Sequence, residues 1–289
     1  MRSRPIVARP PFSERPMPTS ARYALMLGPL LLFLALAYAL PFLGVLEWSV
    51  TLPRPGLGQY RTALSDPLVL SVFLRTLRIC LTVTALSLFG GYVIALLWVR
   101  GGPLTRALTE LCILIPFWIS VLTRAFGWLA LLSTKGIINV WLERLGLISD
   151  PLALVRNEFG VVVGMTHYLI PFAVLPIASA MRGLDERVLM AARGMGAGRA
   201  RLFWTVFLPM TVSGVLGAAL LVFVFALGFF VTPAILGGGR SVMVAELIYL
   251  NIFQIPNWGL AAAISVILMV AVGLLGVVML RVIRPAGLR

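Results

Sequence analysis

Residues 182–209 read RGLDERVLMAARGMGAGRARLFWTVFLP. Long apolar runs flank this stretch, so its five arginines and the glycines at 194, 196 and 198 stand out in a chain that is 60% hydrophobic and only 12% charged. Leu184, Val188, Ala191, Ala192 and Met195 recur at helical spacing. Asp185 and Glu186 fall in the first turn, where the helix dipole favours negative charge, and the glycines loosen the far end. A second short helix then rises through Leu202, Phe203, Val206 and Phe207 into the next apolar run. The stretch predicts a small helix lying across one end of a helical bundle, offering small residues and arginines to a partner. On chemistry alone, an interfacial loop whose arginines meet anionic lipid headgroups explains the same composition.

The rest of the chain supplies the bundle. Its mean hydropathy is +1.02, and its charged fraction is about half the roughly 25% of soluble domains, a balance that implies a membrane protein. The net charge of +14 is scattered between apolar runs and forms no nucleic-acid-binding face. A bilayer crossing needs about 20 apolar residues, and the stretches at 23–45, 75–99, 107–131, 159–181, 209–231 and 258–281 qualify. The first exceeds a signal-peptide core, lacks a small-residue cleavage site and leads into further apolar runs, so it reads as a retained span. Residues 1–20, rich in Pro, Arg and Ser, read as a disordered basic tail, and 21–289 as the transmembrane domain.

Orientation follows from Lys and Arg, which accumulate in cytoplasmic loops. Fifteen of the 24 lie in the N-terminal tail, the 100–106 turn, the 182–201 loop and the C-terminal tail. The alternate loops carry fewer, and Glu47, Asp66, Glu143, Asp150, Glu158 and Glu246 offset them. Both termini and a coupling loop at 182–208 are therefore expected in the cytoplasm.

Several chemistries lack their equipment. No G-x-x-x-x-G-K-[ST] loop is present, and the single lysine, Lys135, falls in an expected external loop. ATP and Mg must then be held by another subunit, and no cofactor is expected on this chain. His167 has no metal-ligand companions at useful spacing and reads as an interhelical hydrogen-bonding residue or part of a polar path. Cys80 and Cys112 lie in or beside apolar runs, where a thiol behaves as a small hydrophobe. Carboxylates are nearly absent from the spans, which argues against an ion-coupled carrier.

The opening stretch resembles the loop of type I ATP-binding-cassette importer permeases whose pattern is E-A-A, three residues, G, nine residues, I-x-L-P. Ala191 and Ala192 take the alanines, Gly196 the glycine, Val206 the hydrophobic position, and Leu208 and Pro209 the final pair; Met190 stands where the pattern has glutamate. Glu186, one turn earlier, is a candidate substitute carboxylate. The resemblance implies that Glu186, Met190, Ala191, Ala192, Arg193, Gly196, Ala197 and Arg199 form a coupling helix seated in a cleft of an ATPase subunit. Ala191 and Ala192 are expected to face that partner, and Gly196 to occupy a tight approach or a backbone conformation other residues avoid.

The stretches at 64–96, 115–148 and 230–268 resemble the first permease of spermidine/putrescine importers, a likeness running from about Leu25 to Ile283. It implies a six-helix all-α fold, a second permease, two ATPase subunits, a periplasmic or lipid-tethered binding protein, and a small cationic solute, with a polyamine favoured. Importers of opines, aminophosphonates, iron or thiamine share much of this vocabulary. A mobile cation suits aromatic faces and neutral oxygens better than a tight carboxylate cage. Phe225, Phe229, Tyr249 and Asn251 are accordingly candidates for the path. Arg124, buried within a span, is expected to snorkel, to pair with a loop carboxylate or to line the path.

Overall fold

The computed structural model describes residues 19–283. The expected tail falls outside them, apart from Thr19 and Ser20 at the start of the first helix. Residues up to Glu47 form one compact unit and those from Trp48 another. The first contains most of α1 (Thr19–Thr51), whose apolar side chains, such as Leu31, Phe33 and Leu40, are exposed.

The second unit begins with α2 (Gly58–Ser65) and α3 (Pro67–Arg100). Asp66 caps α3 by accepting from the Leu68 amide at 2.8 Å, and Pro67, which needs no hydrogen-bond acceptor for a missing N–H, occupies the first turn. These two residues start the helix eight positions before the span expected at 75. Then follow α4 (Pro103–Trp118), α5 (Val121–Leu132), α6 (Ile137–Arg144) and α7 (Glu158–Arg182). The short α8 (Glu186–Gly194) and α9 (Arg199–Leu202) lead through a π-turn at Phe203–Phe207 into α10 (Leu208–Leu227). The last elements are α11 (Val231–Leu236), α12 (Val244–Phe253) and α13 (Trp258–Ile283).

Among the described residues, six stretches are long and apolar enough to cross a bilayer: Leu27–Thr51, Pro67–Arg100, Val121–Arg144, Glu158–Arg182, Arg199–Leu227 and Trp258–Val278. The third differs from the single continuous span expected at 107–131. Pro116 removes a helical hydrogen bond, the helix stops at Trp118, and α5 starts again beyond Ser120. Two half-helices therefore meet inside the region that the sequence presents as one apolar run.

Helices α3, α7 and α10 pack most extensively against one another. The face of α7 carrying Met165, Leu169, Ala173, Val174 and Ile177 is fully enclosed, the spacing expected of one helical stripe. Two glycines let its neighbours approach. A Cβ built on Gly91 would lie 2.7 Å from Ala173 Cβ, and one on Gly214 would lie 2.4 Å from Ala180 Cβ. Gly127 and Gly217, by contrast, have open space at that position among the described residues.

Candidate functional site

The segment from Asp185 to Pro209 is built by three local devices. Asp185 caps α8, accepting from the Arg187 amide at 2.8 Å. At the other end the Ala197 amide donates to Ala192 O at 3.1 Å and the Gly196 amide to Arg193 O at 2.9 Å, while Gly196 has φ +84°. That pattern is a Schellman cap, in which a left-handed residue turns the chain and satisfies orphan carbonyls. Gly196 therefore ends the helix, and the space around its missing side chain is open within this chain. Beyond α9, Pro209 has no N–H for the carbonyl four residues back, and the backbone accommodates this with the π-turn, where the Leu208 amide bonds to Phe203 O.

These devices sort the residues of α8 into two faces. Leu189 and Ala192 are buried, packed in the same core cluster as Leu202 and Phe207. Val188, Met190, Ala191, Met195 and the arginines 187, 193 and 199 are exposed. Of the two alanines expected to face a partner, only Ala191 is exposed; Ala192 anchors the helix to its own bundle. Met190 is 59% and Met195 84% exposed. The outer face is thus apolar, methionine-rich and rimmed by cations. Ala197 is half-buried against the core.

Glu186, the candidate substitute carboxylate, is exposed and has a neighbour within the chain. Its carboxylate lies 3.5 Å from Arg100 at the end of α3, and the Arg100 guanidinium also sits 5.3 Å from the centroid of the Phe207 ring. Nearby, Arg182 lies 4.2 Å over Trp98, and Tyr92 OH and Thr211 Oγ1 are 3.1 Å apart. Each contact is modest in energy, since an exposed ion pair contributes at most about 1 kcal/mol. Together they tie α8 and the start of α10 to α3 and α7.

Farther along the bundle, Phe225 and Phe229 join an aromatic wall with two residues that the sequence did not single out, Tyr168 and Phe172. Ring centroids are 4.9 Å apart for Tyr168–Phe229 and for Phe172–Phe225, and 5.5 Å for Phe117–Phe172. Arg124 lies 4.3 Å over the Tyr168 ring and donates to Ile119 O at 2.9 Å, capping the broken end of α4. It has no carboxylate partner among the described residues. Tyr249 instead packs on Phe230 and Phe253. Asn251 is buried, its side chain donating to Leu247 O at 2.9 Å and its carbonyl accepting from Asn257 at 2.7 Å. It fixes the α12–α13 connection rather than joining the wall.

Beside the wall, a cavity of about 670 Å³ opens between α3, α5 and α7. Its polar lining comprises Arg78, Thr82, Trp128, Glu158, Thr166 and His167. The Trp128 indole donates to His167 Nδ1 at 3.2 Å, the interhelical role expected of that histidine. Arg78 pairs with both Glu158 oxygens, and Arg75 lies 3.6 Å from the same carboxylate. Among the described residues, no group of His, Cys, Asp or Glu is placed to hold a metal ion.

Comparison with known proteins gives the same family from two directions. Residues 87–286 match the family described as binding-protein-dependent transport system inner membrane component. The spermidine/putrescine transport system permease protein PotB of Escherichia coli K12 is 33% identical over 223 residues, covering 77% of this chain and 81% of that protein. PotB of Haemophilus influenzae is 34% identical over 214 residues, covering 74% and 75%. A solved bacterial ABC transporter for the acidic polysaccharide alginate shares the fold, with a TM-score of 0.72 at 17% identity over 92% of this chain and 96% of that one. The chain belongs to the binding-protein-dependent transport system inner membrane components: it is a multi-pass inner-membrane permease subunit of an ABC importer, without a nucleotide site of its own.

Proposed function

We propose that this permease carries a small amine, with a linear polyamine such as putrescine or spermidine as the leading assignment, along a path it forms with a second, similar permease. Two ATPase subunits dock on the exposed face of α8, and a periplasmic or lipid-tethered binding protein delivers the solute at the opposite end. The excess of Lys and Arg in the loops on one side supports a cytoplasmic position for α8 and for both termini. Closure of the ATPases would push α8 and, through Arg100 and Arg182, swing α3, α7 and α10 to turn the path outward.

The observation that carries the coupling role is the two-faced α8, rooted by Leu189 and Ala192 and exposing Met190, Ala191 and Met195. Polyamine is supported by the relatives named for spermidine and putrescine. The aromatic wall suits a mobile cation, because ring faces attract ammonium groups without trapping them.

Arg124 favours a second reading. A fixed cation already occupies the Tyr168 face, which suits an amine that also bears a carboxylate or phosphonate, as opines and aminophosphonates do, because guanidinium pairs with such anions. Binding of each solute to the cognate binding protein, followed by competition for uptake through the full complex, separates the two. Polyamines should bind and compete. Competition by an opine or aminophosphonate, with polyamines inert, would establish the second reading in their place.

A further inference from the structure

At the end of the bundle opposite α8, a pocket of about 590 Å³ is lined by Leu129, Ser133, Thr134 and the guanidinium-bearing Arg156 and Arg240. Its walls are held in place by specific contacts. Asn139 is fully buried, donating to Ser133 O at 3.1 Å and to Leu152 O at 3.0 Å and accepting from the Leu152 amide at 2.9 Å, which clips the end of α5 to the segment leading to Arg156. Arg156 itself has φ +62°, a conformation that costs a non-glycine residue energy and persists only where the surroundings impose it. Its amide donates to Leu236 O at 2.7 Å. A Cβ on Gly238 would lie 2.8 Å from Arg156 Cγ, so the glycine leaves room for the arginine stem.

The charges in this pocket are uncompensated. Among the described residues neither Arg156 nor Arg240 has an acidic partner within salt-bridge distance. Glu246, which the sequence sets against Arg240, is buried in α12 and does not pair with it, and burial pushes its carboxyl up from the ordinary range. Both arginines are exposed at the mouth of the pocket. A pocket with two free guanidiniums repels an amine, so it lies off the route of a cationic solute. Its chemistry fits a carboxylate, which guanidiniums bind with paired, charge-assisted hydrogen bonds.

We propose that this pocket receives the carboxylate of an acidic side chain on the solute-delivering protein, with Arg156 and Arg240 as the recognising pair. The inference rests on the reading that this end of the bundle faces outward and meets a binding protein. Charge complementarity selects the occupant: the pocket is cationic, rigid and open to the surface, the arrangement that steers and orients an acidic protein partner. The Arg156 backbone is fixed by its hydrogen bond to Leu236 O, so the stem of the side chain leaves the main chain at the pocket before the partner arrives.

The test is the affinity of the loaded binding protein for the complete importer in nanodiscs of neutral lipid. Arg240→Glu, at a residue without left-handed backbone, and Arg156→Glu with Arg240→Glu should each weaken binding at least tenfold and flatten its salt dependence. Acidic surface residues of the binding protein are then reversed one at a time to Lys, and one reversal should restore affinity for the Arg240→Glu complex. Unchanged affinity in a variant complex of normal subunit stoichiometry and melting temperature would overturn the proposal. So would loss that no reversal restores, or binding that depends on anionic lipid instead of on the two arginines. If the unsubstituted importer does not bind the delivery protein at all, the outward-facing reading fails rather than the pocket.

Discussion

Replacing Gly196 with valine should abolish the stimulation of ATP hydrolysis by loaded binding protein, while the subunit still inserts and assembles. The reason lies in the backbone. Gly196 has φ +84°, where a Cβ costs about 1–2 kcal/mol and a branched side chain more. Without the left-handed turn, the carbonyls of Ala192 and Arg193 lose the amides that now satisfy them, and α8 no longer ends where the partner meets it. A graded series separates this cause from simple crowding, because no atom of this chain lies within 4 Å of the missing side chain. Asparagine tolerates the left-handed region better than alanine or valine, so Gly196→Asn should retain more coupling than Gly196→Ala, and Gly196→Val should retain none. If asparagine proves as damaging as valine, close contact with the ATPase subunit governs the position instead.

Gly214→Leu should prevent the bundle from folding normally. An added side chain meets Ala180 Cβ at 2.4 Å and Pro176 O at 3.0 Å, both on the most enclosed helix, and the backbone oxygen cannot swing aside. Overpacking a filled core costs about 1–3 kcal/mol and occasionally more, and here two long helices would have to separate. The expected result is a sharp fall in the yield of monodisperse subunit and in its melting temperature in detergent. Gly217→Leu, three residues farther along α10 but with open space around it, should leave both unchanged. Equal melting temperatures for the Gly214 and Gly217 variants would remove the proposed close crossing of α7 and α10.

Much of this arrangement was legible in the sequence because hydrophobic length and local capping are written along the chain. The apolar runs give the spans, and the segment from Ala191 to Pro209 gives a short helix, the glycine that ends it and the return into α10. What escaped depends on contacts between distant residues. Arg100 and Glu186 are brought together only when α3 and α7 pack, and no local pattern ties them. Ala191 and Ala192 are chemically alike, and only the docking of α8 on Leu202 and Phe207 decides which is buried. Tyr168 and Phe172 sit in a span that is apolar on every side, so periodicity could not mark their wall. Pro116 was a visible warning that the third span would break, but the position of the break, and the use of Arg124 to cap it, required the fold.

The charge pattern also shows why composition alone is a blunt guide. Glu246 lies six residues after Arg240 in sequence and was read as its counterweight, yet α12 buries it against the bundle. The Lys and Arg in a short loop say which side of a membrane it prefers. It does not say which charges remain available to a partner.

In the proposed mechanism α8 transmits work done by ATPase subunits to a path that cannot run without them. The most direct measurement is ATP hydrolysis by the complete complex, both permeases and both ATPase subunits in a lipid bilayer, with and without solute-loaded binding protein. The account predicts marked stimulation by the loaded binding protein and none when Gly196 is valine. Hydrolysis indifferent to the binding protein in the unsubstituted complex, together with solute uptake by this chain alone under an ion gradient, would contradict it.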